Sequence, residues 1–215
     1  MGKLIVIDGL DGSGKNTQSH LFCDHLGVSG KRTRLLSFPN YHTPACAPVE
    51  QYLSGAYGSD PETVNCYAAS AFYAVDRYSS YMLDWKKDYE SDCVVVANRY
   101  TTSNAIHQMA KLPESEADGF LSWLYDFEFC RLGIPRPDLT LFLDVPVNVS
   151  LSLIEKRGEK KDIHEVGDHL EKARKAAFYA CEKLGWTRIE CTENGKMLPV
   201  EAITSLIVKA ASDHV

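Results

Sequence analysis

Short, nearly continuous apolar runs recur along the chain, and the stretches between them carry helical periodicity. Residues 4–7, Leu-Ile-Val-Ile, are the first run and predict a buried strand over 4–8. Further strands are predicted at 34–38, 93–97, 139–143 and 186–190. Helices are predicted at 15–27, 49–53, 62–85 with Pro61 at its start, 101–111, 114–132, 147–156, 167–184 and 199–212. Continuous apolar strands bounded by helical segments fit a sheet buried on both faces. The expected fold class is α/β: a doubly wound five-stranded parallel sheet flanked by helices, which places ligands at the carboxyl ends of its strands.

The first strand runs directly into a glycine-rich turn, so that residues 3–17 read K-L-I-V-I-D-G-L-D-G-S-G-K-N-T. Strand, loop and helix in that order give this motif its phosphate-binding context. Gly9, Leu10, Asp11, Gly12, Ser13 and Gly14 would turn successive N–H groups toward phosphate oxygens. The helix that follows adds the positive end of its dipole, and Lys15 adds a full charge. The residue after Lys15 departs from the pattern. Asn16 stands where a hydroxyl residue ordinarily ligates Mg²⁺, and Thr17 lies one position further on, within reach through a water. Asn16 and Thr17 are therefore the candidate metal-side residues, and nucleotide binding is better supported than direct metal ligation.

Composition narrows the class. At 215 residues, 45% hydrophobic and 24% charged, the chain suits one globular domain spanning 1–215. A net charge of −6 argues against a nucleic-acid partner, which would require a basic stripe. The seven cysteines are widely spaced and form no C-x-x-C pair, which favours reduced thiols over zinc ligation. No signal peptide and no apolar run of membrane-spanning length is visible, so a cytoplasmic location is expected.

Four stretches in order carry a resemblance to a known family: G-L-D-G-S-G-K-N-T-Q, S-F-P-N-Y-H-T-P, A-A-S-A-F-Y-A-V-D-R-Y with V-V-V-A-N-R-Y-T-T-S-N, and P-R-P-D-L-T-L-F-L-D-V-P. Together they cover most of the chain, and the sequence resembles the thymidylate kinases, which are P-loop nucleoside-monophosphate kinases. The resemblance implies a P-loop kinase fold with a lid at about 157–165, ATP and Mg²⁺ as cofactors, dTMP as acceptor, and a homodimer. It assigns Asp11 to the acceptor sugar hydroxyl, Phe38 to the step after strand two, and Arg99 to the acceptor phosphate. Tyr73 would stack on the base and Arg77 would bond its carbonyl oxygen. Asn104 and Gln108 would contact the base, or else form ordinary helix surface. Core packing for Tyr73 and a solvated helix charge for Arg77 are the competing readings. Because position 12 is glycine rather than arginine, catalytic cations would come from the lid: Arg157, Lys160 and Lys161. Arg157 would also pack on the donor adenine, flanked by residues 192–196.

Three positions differ from the family pattern. Asn16 replaces a hydroxyl, Asn98 replaces the acid before Arg99, and Asn40 stands where many relatives place an arginine. These leave two alternatives to dTMP phosphorylation: a kinase for another pyrimidine nucleotide or nucleoside, or a nucleotide-binding protein with weak or lost catalysis.

Overall fold

The computed structural model describes residues 1–58, 60–157 and 167–215. Among them, five parallel strands form one sheet: β1 (Lys3–Gly9), β2 (Thr33–Ser37), β3 (Val94–Asn98), β4 (Leu139–Asp144) and β5 (Thr187–Glu190). Their spatial order is β2-β3-β1-β4-β5, so the first strand lies at the centre. Ile7 sits opposite Asn98 on one side and Leu141 on the other, which brings the carboxyl ends of three strands together.

The alternation of side chains across a pleat covered on both faces explains why residues 4–7 of β1 are all apolar. Leu4 and Val6 pack with Leu36, Phe38, Val95, Ala97, Trp85 and Tyr100 on one face. Ile5 and Ile7 pack with Phe22, Leu26, Val96, Leu141, Ile203 and Ile207 on the other. The second face is covered by α1 (Lys15–Val28) and α9 (Val200–Ala211). A third cluster joins Leu10 and Phe142 to α5 (Thr101–His107), α6 (Ala117–Tyr125) and α8 (Gly167–Leu184). None of the helices of the described residues is long and apolar enough to cross a membrane.

The fold class and strand set follow the expectation, with differences at several elements. The helix expected over 62–85 begins later. Pro61–Thr63 is a separate 3₁₀ turn, Val64 is extended, and α3 runs Cys66–Ser80. Asn65 sets that start, because its side chain accepts from the Ala68 N–H at 2.9 Å and satisfies an orphan donor of the first turn. The helix then continues past residue 85 through a π turn, Tyr81–Trp85, into α4 (Lys86–Glu90). The stretch 101–111 divides into α5 and a 3₁₀ turn, Met109–Lys111. The stretch 114–132 divides into a 3₁₀ turn, α6 and a π segment, Asp126–Arg131. The short helix near 49–53 is longer, α2 (Ala47–Leu53), and the helix at 147 extends as α7 (Val147–Arg157). A hairpin not foreseen, β6 (Thr192–Glu193) with β7 (Lys196–Met197), turns at Asn194 and Gly195, both at positive φ. Asn-Gly is the dipeptide this turn favours.

Candidate active site

The turn after β1 holds its shape through its glycines. Gly12 has φ 78°, and a β-carbon there would come 2.7 Å from the Ser150 carbonyl on α7. Gly14, at φ 85°, caps α1 without a side-chain bond and leaves the helix N-terminus to the loop. Lys15 Nζ donates to the Leu10 carbonyl at 2.8 Å and lies 3.6 Å from the Asp11 carboxylate. Burial and the nearby Arg99 guanidinium push the Lys15 ammonium down to about 8.

Arg99 follows β3 with φ 67°, a conformation that non-glycine residues adopt at a cost of about 1–3 kcal/mol. Its N–H donates to the Ile7 carbonyl at 3.1 Å, which ties this turn to β1. The guanidinium donates to Asp11 and to Ser103 Oγ at 3.3 Å, and its Nη1 lies 3.2 Å from His107 Nε2. The His107 ring stacks on His169 of α8, with centroids 5.8 Å apart and planes 14° from parallel. Burial, with Lys111 nearby, pushes His169 down to about 4, so that ring is neutral. Asp8, fully buried, accepts from Thr102 Oγ1 at 2.6 Å, Ser103 Oγ at 2.7 Å and the Gly9 N–H at 2.8 Å. That carboxylate clamps the end of β1 to the start of α5.

Beside this cluster opens a cleft. Asp11, Phe38, Tyr73, Arg77, Arg99, Asn104 and Gln108, the seven residues nominated for the acceptor, all line it. Phe38 is buried against Tyr100, at 5.9 Å between ring centroids. Tyr73 is half-buried in the wall with its ring edge-on to Tyr52. Arg77 is not a solvated helix charge. It is 1% exposed and bonds Glu128 twice, through Nε at 2.7 Å and Nη2 at 2.6 Å. Asn104 and Gln108 are buried too, which removes the helix-surface reading for both. Sequence reasoning missed Ser103 and His107 in this wall, and Glu128 behind it. An acid standing between Phe127 and Phe129 was the available signal for Glu128.

Asn16 and Thr17 are exposed at the first turn of α1. Asn98 Nδ2 donates to Ser37 Oγ at 3.1 Å and approaches Asn16 Oδ1 at 3.4 Å, while Asn98 Oδ1 is buried with no hydrogen-bond partner. Among the described residues no group of three or more His, Cys, Asp or Glu could hold a metal ion. Mg²⁺ is commonly held by substrate phosphates and its own waters with few protein ligands. Neutral amide and hydroxyl oxygens, one of them unsatisfied, fit the water shell of such a phosphate-borne ion. The side chain of Arg157, and Lys160 and Lys161 entirely, lie outside the described residues. Residues 192–196 fall in the β6–β7 hairpin.

A phosphate loop, a strained arginine and a cleft meet at the carboxyl ends of the central strands, and comparison with known proteins decides which family uses them. A family model described as thymidylate kinase matches residues 7–202. The chain belongs to the thymidylate kinase family. Thymidylate kinase of Mycobacterium tuberculosis (strain H37Rv) is 29% identical over 191 residues, covering 85% of this chain and 87% of that protein. Thymidylate kinase of Schizosaccharomyces pombe is 27% identical over 170 residues, covering 76% and 72%. The solved structure of thymidylate kinase from Candida albicans superposes with a TM-score of 0.75 at 20% identity, over 99% of this chain and 92% of that one, and shares the fold.

Proposed function

We propose that this chain transfers the γ-phosphoryl group of ATP to dTMP, giving dTDP and ADP. The observation that carries the reading is that Arg99 and Asp11, beside the phosphate loop, line one cleft together with Tyr73 and Arg77. The first pair suits an anionic phosphate, and the second suits a flat base with a carbonyl oxygen. The loop N–H groups and Lys15 would cradle the donor phosphates, and Arg99 would hold the acceptor phosphate in line. The acceptor phosphate is already an anion, so no general base is required. Asn16 and Asn98 would hold the water shell of Mg²⁺, with Thr17 one position away, and the ion would supply charge neutralisation at the donor phosphates. Arg157, Lys160 and Lys161 would add lid cations that stabilise charge in transfer, and the lid at about 157–165 would exclude water.

The same proposal takes the chain as one kinase domain, acting as a homodimer in the cytoplasm. Val75, Tyr78, Met82 and Leu83, exposed at 51, 39, 45 and 85%, form an apolar strip on one helical stretch that a second copy would cover. All seven cysteines are free thiols, as a reducing compartment would keep them.

The neutral Asn16–Asn98 contact favours one competing reading, nucleotide binding with weak catalysis. A coupled ADP-release assay across dTMP, dUMP, dCMP, dGMP and thymidine separates these. dTMP is expected to be turned over with the highest efficiency. ATP binding without turnover of any acceptor would support the competing reading, and equal efficiency for dTMP and dCMP would remove the acceptor assignment.

A further inference from the structure

Glu128 is 0% exposed and takes four donor atoms from three residues on two elements, α3 and α5. Arg77 supplies Nε at 2.7 Å and Nη2 at 2.6 Å, Thr101 its hydroxyl at 2.7 Å, and Asn104 its Nδ2 at 3.3 Å. A fully buried carboxylate is costly unless its oxygens are satisfied, and these are. Two of its partners, Arg77 and Asn104, line the cleft, while Glu128 itself does not.

The partners it takes dictate what those residues can show a ligand. Arg77 spends Nε and Nη2 on Glu128, and Nη1 makes only a long bond of 3.4 Å to the Tyr100 carbonyl. Its remaining N–H groups are donors, since guanidinium has no acceptor. Asn104 Nδ2 serves Glu128 Oε1 and the Ser70 carbonyl, each at 3.3 Å. Both of those oxygens only accept, so the amide can sit only with its NH₂ toward them and Oδ1 on the other side. Gln108 adds a second oxygen, a buried Oε1 with no hydrogen-bond partner. The wall therefore presents a donor at Arg77 and an acceptor at Asn104, with Gln108 Oε1 buried beside them. A 4-oxo pyrimidine carries the matching pair, a carbonyl oxygen beside a ring N–H. Cytosine carries the reverse, an amino group beside a bare ring nitrogen. The Arg77–Glu128 pair also leaves this end of the cleft without net charge from those two residues, as a neutral base needs.

We infer that Glu128 is the positioning residue that sets which pyrimidine edge the cleft accepts, by holding Arg77 as donor and Asn104 as acceptor; this rests on the reading of the cleft as the dTMP site. The test is Glu128→Gln, which keeps the volume and sets an NH₂ in place of one carboxylate oxygen, against two of the four donors; either orientation breaks one bond to Arg77, and an NH₂ at the Oε1 position also favours a flipped Asn104. The ratio of kcat/KM for dTMP over dCMP is expected to fall about ten- to hundredfold. The loss should fall on the KM for dTMP more than on kcat. Glu128→Asp, which restores the charge, should recover part of the ratio, a response that a purely structural role would not give. A folded Glu128→Gln protein with the wild-type ratio overturns the inference. If Glu128→Gln does not fold, the double variant Arg77→Met/Glu128→Leu replaces the ion pair by apolar groups of similar size; a wild-type ratio in that protein overturns the inference equally. Wild-type protein that uses dTMP and dCMP alike would remove the acceptor reading and this inference together, before any variant is made.

Discussion

Arg99 and His107 meet at 3.2 Å, guanidinium Nη1 against imidazole Nε2. A guanidinium can only donate, so Nε2 is the bare nitrogen of that ring and the proton resides on Nδ1. With Asp11 and Ser103 also bonded, the Arg99 fork is fixed from three sides before any phosphate arrives. Its left-handed backbone conformation persists because those contacts and the bond to Ile7 over-determine it.

Replacing His107 by phenylalanine keeps a ring against His169 and removes the acceptor. The KM for dTMP is expected to rise about three- to tenfold, with a smaller change in kcat. Glutamine at this position retains an oxygen and should recover part of the loss. Steady-state kinetics on both variants decide it, and an unchanged KM in the phenylalanine variant would show that Arg99 does not depend on this contact.

The depressed Lys15 ammonium makes nucleotide binding a proton-linked event. In the protein without nucleotide Lys15 titrates at about 8 because burial and Arg99 disfavour its charge. Phosphate oxygens favour that charge and raise the value, so at a pH of about 9 binding should take up protons. Titration calorimetry of ADP in two buffers of different ionisation heat measures the uptake. Lys15→Ala should abolish it and also strongly reduce turnover; a wild-type protein that takes up no proton contradicts the assignment of Lys15 to the phosphates.

Asn98 offers a test of metal binding that does not depend on turnover. Its amide contacts Asn16 and Ser37 through Nδ2 and leaves Oδ1 without a partner, so in the proposed reading it would be a neutral neighbour of a metal's water shell. Asn98→Asp places a charge there, and ADP affinity should become more dependent on Mg²⁺. We expect the ratio of affinities with Mg²⁺ and with chelator to rise about tenfold. A ratio equal to wild type would place the metal away from Asn98.

The strands were legible because β1, β3 and β4 are apolar on both faces, which leaves no helical period to confuse them. Residues 3–17 were legible because the chemistry of the phosphate loop is local. The helix start at Asn65 was hidden because Pro61 and Glu62 also form an acceptable first turn, and only the extended Val64 rules it out. The Asn194-Gly195 turn carried its own signal and was overlooked. Glu128 could not be assigned a role from sequence, since its partners Arg77 and Thr101 are 51 and 27 positions away and no local pattern joins them. His107 was hidden for a related reason: its value lies in contacts with Arg99 and with His169 on a helix much later in the chain.

The central place of β1 has a consequence for how the protein is made. Strand β1 leaves the ribosome before both of its partners, Val94–Asn98 and Leu139–Asp144, which are synthesised much later. Until then its apolar residues and both of its hydrogen-bonding edges are bare, the condition under which nascent chains associate with one another. A fragment released before Val94 would carry the whole phosphate loop yet have no sheet to mount it on. Premature termination in this protein should therefore yield aggregation-prone chains that do not bind nucleotide, rather than a smaller nucleotide-binding module.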